Sequence, residues 1–297
     1  MTNEGFDYRE RIMPGAGDRT LLDYLAGRYR HSSRREWESR ILSGLVRLDG
    51  CPARCDEPLR AGMNLLWRRP AWEEPEADGR FSVLFEDDDL LVVDKPAGLP
   101  TLPGAGFLRT TLLHRVRDAY PAASPLHRLG RWTSGAVLFA RTRRAAADLS
   151  RQWADREVGK RYRALAVGDP SWDETTVDVA IGPVTHPLLG TVHAATPGGK
   201  AASSRITVLQ RRGEEFLCEV RIATGRPHQI RIHLAAAGHP LVGDPLYGPG
   251  GIPRPATTAL PGDAGYLLHS LELAFRHPRT GVEMTVIAPP PAALCWP

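Results

Sequence analysis

Apolar residues fall into short runs of differing period along this 297-residue chain. TLLDYLA (20–26) sets Leu21, Leu22 and Leu25 at helical spacing. HSSRREWESRILSGLV (31–46) opens on serines suited to an N-cap and continues as an amphipathic helix through Trp37, Ile41 and Leu42. LVRLDGCPA (45–53) alternates like a strand and turns at Asp49–Gly50, and LRAGMNLLW (59–67) reads as a closing strand. The pattern predicts a small unit of two helices and a hairpin over residues 19–69, after an N-terminal extension of residues 1–18. Residues 70–80, rich in proline and charge, read as a linker.

From residue 81 to 297 strands dominate. FSVLFEDDDLLVVDKPAG (81–98) reads as a strand pair around the acidic turn Glu86–Asp89. Thr110–Tyr120 and Arg143–Arg156 read as helices, and KRYRALAVG (160–168) as a strand. ASSRITVLQRR and EEFLCEVRIATG form a hairpin pattern. HQIRIHLAAAGH (228–239) passes from strand into helix, and YLLHSLELAF with VEMTVIAP gives a last hairpin. Irregular alternation with many hairpins predicts an α+β fold built on a mostly antiparallel sheet.

Composition narrows the function less. A formal charge of +4 and a pI near 9.0 are compatible with a polyanionic partner. Four cysteines, Cys51, Cys55, Cys218 and Cys295, lack the paired spacing of a zinc site and suit a reduced, cytoplasmic chain. The polar, acid-bearing start MTNEGFDYRERIMPG does not read as a signal peptide. No apolar run approaches the ~18 residues of a membrane span.

Chemistry concentrates in a few blocks. His127-Arg128-Leu129-Gly130-Arg131-Trp132-Thr133-Ser134-Gly135 runs into the apolar AVLFA. EDDDLLVVDKPAGLPTLP precedes it; KRYRALAVG, TGRPHQIRIHLAAAGHPLVGDPLYG and LLHSLELAFRHPRTG follow. In this order the blocks resemble the RNA pseudouridine synthases of the RluA-type branch, over roughly residues 80–290. The unit at 19–69 is similar to the small ribosomal-protein-like RNA-binding module that precedes many of these synthases.

The resemblance implies the pseudouridine synthase fold, an RNA substrate (ribosomal or transfer), no cofactor, no metal and a monomer. The reaction breaks the uridine C–N glycosidic bond, turns the uracil and rejoins it through carbon. Positive charge develops on the sugar as in glycoside hydrolysis, and the family meets it with an aspartate. An arginine orients that aspartate, a tyrosine lies against the base, and the nucleotide leaves its stack to enter the pocket. The tyrosine falls on Tyr162. The arginine falls on Arg231, with Arg226 the second candidate and a phosphate contact its other role. The aspartate position holds Gly130, which has no side chain to offer. Asp94, Asp118, Asp148 and Asp244 are the alternative carboxylates, Asp244 reading better as a turn residue. His127, Arg128, Arg131, Thr133, Arg226 and Gln229 are candidate substrate contacts. Trp132 is a candidate base-stacking residue beside the pocket. His228 and His233, five apart on an expected strand, would face opposite ways, which disfavours a shared metal.

RNA binding beyond the pocket points to Arg30, Arg34 and Arg35, in a basic stretch with Arg28, His31 and Arg40 that is interleaved with Tyr29 and Trp37. A second basic cluster, Arg141, Arg143 and Arg144, is expected to flank the pocket mouth. The competing reading is a non-catalytic RNA-binding protein on the same scaffold.

Overall fold

A computed structural model describes residues 2–15, 19–29, 31–77, 80–260 and 262–295. The chain divides into two compact units, Met1–Glu74 and Pro75–Pro297.

In the first unit, helix α1 (Leu21–Arg28) starts where the Thr20 hydroxyl accepts from the Asp23 amide. Helix α2 (Arg34–Leu42) starts at a reciprocal Ser33–Glu36 capping box. Both pack on an antiparallel sheet of order β1 (Phe6–Arg11), β4 (Asn64–Arg69), β2 (Val46–Leu48), β3 (Cys51–Pro52). Leu21, Leu25, Trp37, Ile41, Val46 and Leu65 fill its core. The extension expected outside this unit is partly inside it. Phe6–Arg11 pairs with β4 along its whole length, and Ile12 is 1% exposed within the core. Its alternation is weak because five of its six residues are exposed, so the sequence carries little strand signal.

The second unit is built on a ten-stranded mixed sheet. Its main path runs β10 (Glu174–Val177), β13 (Ser204–Arg211), β14 (Glu215–Ile222), β9 (Gly159–Val167), β17 (Leu268–Arg276), β8 (Ser134–Ala140), β6 (Leu90–Lys95) and β5 (Ser82–Glu86). β18 (Glu283–Ile287) joins β17 and β7 (Ser124–Pro125) joins β8. Neighbours are antiparallel except β17 and β8, which run parallel through a two-residue register, His269 opposite Ser134 and Ser270 opposite Gly135. Helices α3 (Leu112–Ala119), α4 (Arg143–Ala154) and α5 (Gln229–Ala236) cover the sheet, while β11 (Ile181–His186) with β12 (Gly190–Ala195), and β15 (Tyr247–Gly248) with β16 (Ile252–Pro253), form two separate antiparallel pairs. The α+β class and the mostly antiparallel sheet are as expected. The central strands are apolar on both faces: every residue of β8 after Ser134 is buried.

One expected strand is absent. HQIRIHL is helical from Gln229, so His228 and His233 do not alternate across a sheet. Every residue of α5 from Gln229 to Ala235 is buried. A helix buried all round shows no 3.6-residue period, and the alternating Ile230, Ile232 and Leu234 mimic a strand.

Candidate active site

The segment 127–134 is held by a buried lysine. Lys95, 0% exposed at the end of β6, donates from Nζ to the carbonyls of Pro96, Leu99 and Arg131 at 2.8, 2.7 and 3.0 Å. Burial lowers its pKa to about 7, Asp94 acting against that and Arg131 with it. Thr101 clasps Leu129 from both sides, its hydroxyl accepting from the Leu129 amide and donating to the Leu129 carbonyl. Where the segment enters β8, Gly135 adopts φ +106° and lies so close to β17 that a Cβ would stand 2.2 Å from the Ser270 carbonyl oxygen. Only glycine fits there. The clasp and the close approach fix Gly130 between them.

Gly130, Thr133, Tyr162, Arg226, His228, Arg231 and Tyr266 border a cavity of about 130 Å³. Arg128, Leu129, Ile222 and Gln229 also line it. Tyr162 comes from β9 and is 7% exposed; burial pushes its hydroxyl up to about 12, with Ser270 opposing. It is neutral near pH 7.

Arg231 comes from α5 and is 2% exposed. Its Nε and Nη2 donate to Asp244 at 2.7 Å each, a two-point pair with a carboxylate that is itself fully buried. Asp244 also accepts from the amides of Leu246 and Tyr247 at 2.9 and 3.1 Å. Burial alone would raise its pKa; Arg231 and the two amides hold it below the ordinary value. Four donors hold this carboxylate, three on Oδ1 and one on Oδ2, and it does not border the cavity, so it orients Arg231. Asp244 is thus both the turn residue the sequence suggests and the partner of Arg231.

The Tyr266 ring packs 4.1 Å from the Arg231 guanidinium carbon. A Cβ at Gly130 would stand 3.1 Å from the Tyr266 hydroxyl and 3.4 Å from the Thr133 hydroxyl, on ordinary backbone. The place of the missing side chain is therefore walled by two hydroxyls. No motif marks Tyr266 in the sequence, and its role emerges only when the chain closes on itself. The other alternative carboxylates lie elsewhere. Asp94 faces a neighbouring cleft, Asp118 is exposed on α3, and Asp148 pairs with Arg151 and Gln152 on α4.

Three expected substrate contacts require correction. His127 does not line the cavity; its Nε2 accepts from the Leu138 amide at 3.0 Å and its ring stacks on Trp153. Arg131 also turns away, donating to the Gly98 carbonyl and lying over Phe107. Gln229 borders the cavity, but its amide is fully occupied by Thr224, Arg226, Ser203 and Ser204. Arg128, Thr133 and Arg226 do border the cavity, Arg226 with its Nε on the Ala201 carbonyl. Trp132 lies in the neighbouring cleft against Gly98, not in this cavity. Arg141, Arg143 and Arg144 follow the far end of β8, seven residues from this segment, or about 20 Å of strand. They do not flank the cavity mouth.

Against known families, residues 89–236 match the model described as RNA pseudouridylate synthase. An uncharacterized RNA pseudouridine synthase from Synechocystis is 44% identical over 93% of this chain and 96% of its own. The chain belongs to the RNA pseudouridylate synthase family. RNA pseudouridine synthase 5 of Arabidopsis thaliana is 35% identical over 98% of this chain and 94% of its own. Ribosomal large subunit pseudouridine synthase D of Xanthomonas campestris is 35% identical over 96% and 90%. Among solved structures, human RNA Pseudouridylate Synthase Domain Containing 1 superposes with a TM-score of 0.58 at 26% identity, over 75% of this chain and 89% of its own.

The family match leaves the first unit uncovered. There, Arg34 and Arg35 are exposed on α2, Arg34 paired with Asp23. Arg30 lies outside the described residues. Trp37, expected as a stacking surface, is core at 1% exposure, with Arg40 over its ring at 4.6 Å. Among the described residues no helix is long and apolar enough to cross a membrane, and no His, Cys, Asp and Glu cluster fits a metal.

Proposed function

We propose that this protein is an RNA pseudouridine synthase that holds an extruded uridine of a structured ribosomal or transfer RNA in the 130 Å³ cavity. The supporting observation is convergence: Gly130, Tyr162, Arg231 and Tyr266, from four separate stretches of sequence, border one small space. The isomerisation is internally balanced. The C1′–N1 bond breaks, a C1′–C5 bond forms, C5 loses a proton and N1 gains one, so no cofactor takes part. Tyr162 covers the base and excludes water. Arg231, fixed by Asp244, supplies positive charge at the cavity wall. Arg128 and Arg226 offer donors to phosphate, and Arg30, Arg34 and Arg35 of the small unit hold the RNA beyond the target. On this reading the protein works in the cytoplasm as a monomer.

One observation favours a second reading. Among the described residues bordering the cavity there is no Asp or Glu. Removing a nucleophile costs on the order of a million-fold in a well-studied protease. The scaffold would then bind its RNA with little or no turnover.

One experiment separates the two. Pseudouridines are mapped in RNA from cells with the gene, without it, and complemented by the natural chain or by Gly130→Asp. A site lost on deletion and restored by the natural chain supports the synthase. No site lost on deletion, with sites gained under Gly130→Asp, establishes the second reading.

A further inference from the structure

We propose that His228 selects uridine over cytidine by accepting a hydrogen bond at Nε2 from the N3–H of the bound base. This rests on the proposed uridine pocket and deepens it.

His228 precedes α5 and borders the cavity. Its backbone is left-handed, φ +55° and ψ +21°, an unusual conformation for a side chain with a Cβ. Such strain is retained where the surroundings over-determine a residue, often at a functional site. Here the ring is also fixed. Nδ1 lies 2.7 Å from the Tyr247 hydroxyl, and that hydroxyl lies 2.8 Å from the His193 carbonyl oxygen. A carbonyl can only accept, so the single Tyr247 proton goes to His193. Tyr247 must then accept from Nδ1–H. One tautomer follows: Nδ1 carries the proton and Nε2 keeps its lone pair.

The charge state follows from the same surroundings. Burial, with Arg231, His193 and Arg128 nearby, lowers the His228 pKa to about 3, against a weaker opposing pull from Asp244. The imidazole is neutral across the physiological range. So low a basicity makes it a poor proton acceptor for the chemical step. As a hydrogen-bond acceptor it remains fully competent. Uracil in RNA has one ring N–H, at N3, because N1 is bonded to ribose; its two carbonyls only accept. Cytosine has an acceptor at N3, which would face the Nε2 lone pair. A locked acceptor therefore distinguishes the two bases, much as a buried polar site rejects a ligand that leaves it unpaired.

The test is binding of single-stranded U10, C10 and N3-methylated U10 to the full chain at moderate salt, where backbone attraction is weakened. We expect U10 to bind about tenfold more tightly than either other decamer, the worth of one buried hydrogen bond. In His228→Gly, whose residue suits the left-handed backbone, the three should bind within about twofold of one another. Tyr247→Phe, which frees the tautomer, should reduce the discrimination while binding persists. Equal binding of U10 and C10 by the natural chain overturns the inference, as does undiminished discrimination in a folded His228→Gly. Failure to bind any decamer overturns this inference, while the pseudouridine mapping above decides the synthase reading separately.

Discussion

Replacing Asp244 by alanine isolates the energetics of the site from its chemistry. Arg231 is 2% exposed and Asp244 fully buried, and they meet through two contacts of 2.7 Å. Asp244→Ala removes this carboxylate from a guanidinium that also packs on the rings of Tyr266 and Tyr247, 4.1 and 5.0 Å away. Breaking a buried pair from one side costs about 3–5 kcal/mol. For a folded unit of this size each kcal/mol lowers Tm by roughly 2–4 °C, so Tm should fall by about 6–20 °C. Removing the other partner should cost less, because in Arg231→Met the carboxylate keeps the amides of Leu246 and Tyr247. The joint Arg231→Met, Asp244→Ala variant should recover much of the loss. Urea and thermal unfolding of the four proteins give the coupling directly. The pH dependence has a definite sign. The folded pKa of Asp244 lies below its ordinary value of about 3.9, so the pair's contribution is present above that value and is lost as pH falls through the lower folded one. A loss in Asp244→Ala below about 1 kcal/mol, or no recovery in the joint variant, would refute the assignment of this pair as the structural anchor of the site.

Gly130→Asp should raise pseudouridine formation by about 100-fold or more, measured by single-turnover release of tritium from C5-labelled RNA. Its Cβ stands 3.1 Å from the Tyr266 hydroxyl, so the cost in Tm should be small and should shrink further with Tyr266→Phe. Tyr162→Ala should lose about 3–5 kcal/mol of stability in urea as well as turnover, because the ring is part of the core. His127 and His228 bind protons less readily folded than unfolded, with pKa values near 3 against about 6.5. The unfolded chain then holds more protons between those values, so Tm should be flat above about pH 6.5 and fall steadily below it. Alanine at Arg34 and Arg35 should weaken RNA binding uniformly across sequences and lower the salt slope by about one for each phosphate no longer neutralised.

What the sequence discloses and what it withholds divide along physical lines. β8 is legible because AVLFA is apolar on both faces, and the two-residue turn at Asp49–Gly50 announces its hairpin by chemistry alone. α5 reads falsely as a strand because burial on all sides erases its period. The hairpin of β11 and β12 carries exposed and half-buried residues among its buried ones, with no apolar run long enough to mark it. In the site, Tyr162 and Arg231 come from local blocks, whereas the Arg231–Asp244 pair spans thirteen residues and Tyr266 reaches Gly130 across more than a hundred. Local pattern fixes a side chain's element; it does not say which distant side chain will meet it. Gln229, inside a signature block, has its side-chain amide occupied by Thr224 and Arg226 nearby and by Ser203 and Ser204 some 25 residues away, which the block alone does not disclose.

The parallel seam between β8 and β17 has a consequence for how this protein comes into being. Ser134 and His269 meet there, 135 residues apart in the chain, with Gly135 pressed against Ser270. Contacts so distant in sequence are made late, because the loop must close before any contact rewards it. The 127–134 segment leaves the ribosome long before its partner strand, and Tyr266 reaches the cavity only with that strand. During synthesis the nascent chain can fold its first unit while it still lacks a closed pocket. Closure of the cavity is thereby deferred until β17 has been made.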